Sequence, residues 1–61
     1  MENVKLGMWI AYKGRKGVYL VADMDGEYIT LKDVLISRQG AISYGKKHMI
    51  TVKELDNYVM A

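Results

Sequence analysis

The chain has no cysteine, no proline and no phenylalanine, and its 61 residues include one histidine and one tryptophan. Without thiols there is no disulfide framework and no Cys-based metal site. A lone imidazole, His48, excludes a multi-histidine metal centre within one chain. No apolar run approaches the ~18 residues that mark a membrane-spanning helix. The opening residues, Met1-Glu2-Asn3-Val4-Lys5, carry no apolar secretion segment, so the expected compartment is the cytoplasm and no membrane partner is expected. Catalytic groups are equally scarce. Ser37 and Ser43 lie in no nucleophile motif, and a chain this short has little room for a pocket. A non-enzyme without a cofactor is expected.

What the chain does have is apolar mass. Hydrophobic residues make up 51% of it, too many for a disordered tail. A domain of about 60 residues hides only roughly 60% of its unfolded surface and is marginal alone. With disulfides excluded and no metal expected, a single domain over residues 1–61 is expected to bury apolar surface against copies of itself. Lys and Arg number 9 against 7 Asp and Glu, a net charge of +2. That is a weak lean toward nucleic acid. The distribution says more: Lys13, Arg15 and Lys16 form one basic cluster, and Lys46, Lys47 and His48 a second. Asp23, Asp25 and Glu27 lie between them.

With proline absent, glycine punctuates the chain. Met8–Tyr12 reads as a strand, and Lys13-Gly14-Arg15-Lys16-Gly17 as a basic turn. Val18–Met24 follows, its alternation placing Val18, Leu20, Ala22 and Met24 on one face. Asp25-Gly26 predicts a two-residue hairpin of the primed type, because glycine accepts a positive φ. Residues 27–37 are β-branched and aromatic. Their apolar residues become contiguous after Asp33, which predicts a bulge or bend near Lys32-Asp33. Arg38-Gln39-Gly40 reads as a turn, Ala41–Tyr44 as a short strand, Gly45-Lys46-Lys47 as a turn and His48–Val52 as the fifth strand. The tail is open between two readings. Thr51 with Glu54 fits a capping box for a short C-terminal helix; otherwise the fifth strand runs on to about Lys53. The expected fold class is all-β: a small five-stranded, strongly bent open barrel of Sm-like, SH3-like or OB-like build.

The order of motifs resembles the Sm-like family, to which bacterial Hfq belongs. Gly17-Val18-Tyr19 with Asp23, then Leu31-Lys32-Asp33, is similar to the first Sm motif. Asp25-Gly26-Glu27-Tyr28-Ile29-Thr30-Leu31-Lys32-Asp33 resembles the Asp-x-x-x-Ile-x-Leu-Lys-Asn stretch of the bacterial branch. Lys47-His48-Met49-Ile50 is similar to its Lys-His-Ala-Ile. The likeness runs over roughly residues 8–53. The chain departs from it in lacking the N-terminal helix and in having Glu27 where the stacking aromatic stands. The resemblance implies a homo-oligomeric ring of about five to seven subunits, closed by strand pairing between copies. It also implies single-stranded RNA as partner, bound by Lys46, Lys47 and His48 on one face.

Tyr28 and Tyr44, next to those loops, are the candidate base stackers. Arg15 and Lys16 are candidate phosphate contacts. Two alternatives stand beside this reading. Trp9 followed by Lys13-Gly14-Arg15-Lys16-Gly17-Val18 resembles a segment of small crenarchaeal chromatin proteins of SH3-like build, which implies DNA binding through Arg15, Lys16 and Trp9. A protein-interaction or assembly barrel without a nucleic-acid role, such as a viral accessory protein, is the other. Gly14–Gly17 matches the Gly-x-x-Gly of KH domains, but strand-like flanks exclude that context. The alternating carboxylates at 23, 25 and 27 lack the rest of an EF-hand, and no metal is expected.

Overall fold

The computed structural model describes residues 3–61. The fold is all-β. Strands β1 (Trp9–Tyr12), β2 (Tyr19–Asp25), β3 (Tyr28–Ile36), β4 (Ile42–Thr51) and β5 (Tyr58–Met60) form one antiparallel sheet in the order β4-β3-β2-β1-β5. The sheet is not closed. β4 and β5 are its two edges, and a 3₁₀ helix, Val52–Asn57, carries the chain from one to the other. No helix among the described residues is long and apolar enough to cross a membrane.

One face of the sheet carries the core: Ile10, Val21, Ile29, Leu31, Ile50 and Tyr58, joined by Leu55 from the 3₁₀ helix. Leu55 is the one buried residue of that helix and pins it over the core. Val4, Met8, Tyr12 and Tyr19 pack around this cluster. Register explains the grouping. Val21 lies opposite Leu31, and Ile29 opposite Ile50, so each pair shares a face.

Two bulges shape the sheet. Val21 pairs with Leu31 while Asp23 pairs with Thr30, which leaves Ala22 as an extra residue in β2. The single alternating face of Val18, Leu20, Ala22 and Met24 is therefore corrected. Leu20 turns away from the core while Val21 is 1% exposed, and beyond the bulge Met24 falls opposite buried Ile29. In the second bulge Lys32 pairs with Lys47 but Val34 with Tyr44. The bend expected near Lys32-Asp33 is at that register, and the extra residue belongs to β4, at Gly45-Lys46.

This bulge overturns the reading of Gly45-Lys46-Lys47 as a turn. The segment runs inside one continuous ten-residue strand, Ile42–Thr51. Gly45 serves close packing here. A Cβ on it would lie 3.3 Å from the Asp33 Cβ and 3.4 Å from Leu35 Cδ1. The fifth strand is consequently Tyr58–Met60, which pairs with β1. The tail combines both expectations in altered form, a 3₁₀ helix followed by a strand. The capping box does not form: Thr51 has no side-chain cap bond, and its hydroxyl instead lies 3.4 Å from the Glu54 carboxylate.

The turns follow their residues. Asp25 pairs with Tyr28, so the β2–β3 loop is Gly26-Glu27, one residue later than an Asp25-Gly26 turn. Gly26 has φ +59°, and among the described residues no other residue type has positive φ, so Glu27 does not; this is the pattern of a type II′ hairpin with glycine first. At Arg38-Gln39-Gly40 the Gly40 N–H donates to the Ser37 carbonyl at 3.0 Å, and the Ala41 N–H to Ser37 Oγ at 3.0 Å. Gly40 there has φ +85°.

Candidate nucleic-acid interface

Strand alternation sorts the candidate residues onto two faces. Along β3, Ile29 and Leu31 point into the core, so Tyr28, Thr30, Lys32 and Val34 point away from it. Across the ladder Tyr28 meets Thr51, Thr30 meets Met49, Lys32 meets Lys47 and Val34 meets Tyr44. Leu20 lies opposite Lys32, and Trp9 opposite Leu20. The outer face thus holds a row Trp9–Leu20–Lys32–Lys47 across four strands, with Tyr44 and Met49 on either side of it along β4. Tyr44 is 47% and Met49 64% exposed.

Lys32 and Lys47 form a directly opposed like-charge pair, an arrangement that disfavours the sheet by itself. Among the described residues neither has an ion-pair partner. The register thus sets two cationic side chains next to each other on the outer face. A shallow hollow of about 310 Å³ opens beside them, lined by Thr30, Lys47, His48 and Met49. A second hollow of about 410 Å³, lined by Glu27, Thr51, Val52 and Lys53, lies at the β2–β3 turn end. Glu27 and Asp25 make that end acidic, which disfavours phosphate near Tyr28. Asp23 lies in β2, and its carboxylate accepts the Met24 N–H at 2.9 Å.

The remaining candidates do not join this face. Lys47 and His48 are consecutive in a strand and point oppositely. His48 falls opposite core Leu31, and its ring meets Tyr19 edge-on at 5.2 Å. Lys46 sits at the bulge beside Asp33. Arg15 lies in the exposed β1–β2 loop, its guanidinium 5.0 Å from the Tyr12 ring centre, and Lys16 is exposed beside it. The grouping of Lys46, Lys47 and His48 as one basic loop is therefore corrected. Lys47, Tyr44 and Tyr28 share the outer face, while His48 and Arg15 flank an aromatic cluster on the other. Lys32 was missed among the candidates; its place in the Ile29-Thr30-Leu31-Lys32 alternation, on the side away from Leu31, was the available signal.

That cluster links Tyr12 to Tyr58 at 5.1 Å and Tyr58 to Tyr19 at 6.3 Å, all edge-to-face. Tyr58 is 6% exposed. Burial pushes its hydroxyl above the usual tyrosine pKa; Tyr19, Glu54 and Tyr12 add to this and Arg15 opposes it.

Comparison with family models, with curated proteins and with solved structures finds no match to this chain.

Proposed function

We propose that the chain is a small Sm-like barrel that binds single-stranded RNA on the outer face of β3 and β4 and has no catalytic role. The observation that carries this reading is the opposed Lys32–Lys47 pair beside exposed Tyr44 and Met49. Single-strand binders combine cations that follow the phosphates with aromatic rings on which bases stack. Tyr44 supplies the stacking ring, Lys32 and Lys47 the phosphate contacts. The acidic β2–β3 turn directs the strand from the lysine pair toward Tyr44 and away from Tyr28.

Assembly belongs to the same proposal. β4 and β5 each have one neighbour in the sheet. Pairing β4 of one copy with β5 of the next satisfies both edges and closes a ring of about five to seven subunits. It also covers Ile42, Tyr58–Met60 and their neighbours, where Met60 is 71% exposed. Neighbouring outer faces then run on from one copy to the next, multiplying a modest charge.

Anisotropy titrations with oligo-uridine, oligo-adenosine and duplex DNA at low and moderate salt test the binding. Single strands are expected to bind in preference to duplex, with loss in Lys32→Ala/Lys47→Ala and in Tyr44→Ala. Absence of salt-dependent binding to any of them rejects the reading in favour of an assembly module. Duplex preference with loss in Trp9→Ala moves it to an SH3-like DNA-binding module. Native mass spectrometry tests the ring, which a 7 kDa monomer at micromolar concentration would defeat.

A further inference from the structure

The β3–β4 hairpin outruns the rest of the sheet. β2 begins at Tyr19, opposite Asp33, and the Val34 N–H donates to the Val18 carbonyl at 2.9 Å. Residues 35–43 therefore form a two-stranded arm with no third strand beside it. Such a ribbon has no core side. Yet apolar residues stand on both of its faces: Leu35, 52% exposed, on one, and Ile36 and Ile42, 60% and 52% exposed, on the other. Ile36 and Ile42 are cross-strand partners, so they make one apolar knob.

Charge divides along the same axis. Within residues 34–45 the one charged side chain is Arg38. The antiparallel order puts the β1–β2 loop, with Lys13, Arg15 and Lys16, at the arm's end of the sheet, and Lys46 lies at the base of the arm. The carboxylates at this end are Asp33, beside Lys46, and Asp56, next to the Asn57 whose carbonyl accepts the Lys13 N–H. Lys32 and Lys47 lie at mid-sheet, and Lys5 precedes the Gly7 that bonds to Val21. The β2–β3 turn forms the opposite end. Asp23, Asp25 and Glu27 gather there, with Glu54 against Thr51 and Lys53 as the cation. Five cations with two carboxylates thus stand at one end, and four carboxylates with one cation at the other.

The acidic end also holds the hollow of about 410 Å³ lined by Glu27, Thr51, Val52 and Lys53. Val52 is exposed in its wall, and the Val52 N–H donates to the Glu27 carbonyl at 2.8 Å, which ties the turn to the 3₁₀ helix. Along β3 the two ends are about 26 Å apart, at roughly 3.3 Å per residue, so knob and hollow cannot meet within one copy. Between copies they match in polarity and in sign. An apolar knob with a guanidinium beside it meets an apolar wall flanked by carboxylates. Those carboxylates repel a phosphate backbone, so the hollow is no extension of the RNA face. We propose that the β3–β4 arm of one copy docks at the β2–β3 hollow of a second copy, Ile36 and Ile42 against Val52 and Arg38 facing Asp25 and Glu27. The contact is head-to-tail and runs along the strands. The ring proposed above uses the strand edges, and this contact does not rest on it.

Sedimentation velocity of the full chain, from micromolar to millimolar protein, tests the contact. Mass is expected to grow with concentration at low salt, and less so at high salt. Arg38→Glu and Glu27→Lys each set like charges across the contact, and each is expected to weaken association about tenfold. An equimolar mixture of these two variants puts opposite charges back at every mixed contact and is expected to recover most of the association. Ile36→Ser, at an exposed site beyond β2, is expected to weaken it by a similar factor with the thermal midpoint unchanged. A wild-type mass that stays constant over this range overturns the proposal. So does association that neither charge variant alters, or a mixture no stronger than its components. Binding to anionic vesicles or to oligo-uridine that Ile36→Ser removes, with self-association intact, assigns the arm elsewhere and also overturns it. A ring closed by strand edges persists in all three variants, and RNA binding is scored on Lys32→Ala/Lys47→Ala, so the readings fail separately.

Discussion

Reversing the charge of Lys47 is expected to stabilise the fold while it weakens RNA binding. Lys32 and Lys47 are direct cross-strand partners on the outer face. Their Cβ atoms are therefore about 4.5–5.5 Å apart, and a like-charge pair at that spacing costs on the order of 0.2–1 kcal/mol. Lys47→Glu removes that cost and adds an attraction of similar size, for a net gain of about 1 kcal/mol. In a domain this small, 1 kcal/mol raises Tm by roughly 4–8 °C. Lys47→Ala, which only removes the repulsion, is expected to give about half of this. Both gains shrink with salt, because the Debye length falls to about 8 Å at physiological ionic strength. Binding moves the other way. Each lost phosphate contact lowers the salt-dependence slope of single-strand binding by about 0.7. Thermal melts at low and high salt, paired with anisotropy titrations over the same range, give both readouts. An unchanged or lowered Tm for Lys47→Glu at low salt would show that the pair is already relieved by side-chain rotation. Unchanged RNA affinity in the same variant would remove the outer face from the site.

Three further outcomes follow from packing and turn geometry. Ile29 is 0% exposed, and Ile29→Ala is expected to cost about 2–5 kcal/mol. Total stability at this size is about 3–9 kcal/mol, so urea titration should find the variant barely folded; a shift under 1 kcal/mol would refute the assigned core. Gly26 at φ +59° predicts a loss of about 1–2 kcal/mol for L-alanine and none for D-alanine in chemically synthesised chains; equal losses would exclude the type II′ turn. Tyr58 has its pKa raised in the folded state, chiefly by burial. Above pH 10 the unfolded chain therefore gives up its proton first, so this contribution to stability is present below pH 10 and falls as pH rises through the folded value. Tyr58→Phe should flatten that alkaline decline in denaturation measured from pH 8 to 11, and an unaltered slope would refute the assignment.

Turn chemistry and strand composition act over a few residues, and they were legible without coordinates. The Arg38-Gln39-Gly40 turn, a primed β2–β3 hairpin, the basic β1–β2 loop and the β1–β3 strands all follow from local preferences. Glycine misled at one position. Gly45 beside two lysines has the composition of a turn, yet it lies within β4, paired along β3, where Asp33 and Leu35 crowd the space a Cβ would take. That crowding comes from β3, residues away in the chain. The same limit split the basic motif. Lys46-Lys47-His48 reads as one cluster only while its conformation is a loop; as a strand it sends neighbours to opposite faces.

The lack of staples and the 51% apolar content already implied surface left to cover, and β-rich runs punctuated by glycine turns implied an all-β domain. Composition and spacing carry that much because burial and turn preference are properties of residues and their near neighbours. Which side chains share a face is different, since it depends on register. One extra residue at Ala22 and another at Gly45-Lys46 reverse every side chain beyond them. The Lys32–Lys47 pair, the outer position of Tyr44 and the tyrosine cluster exist only through that pairing.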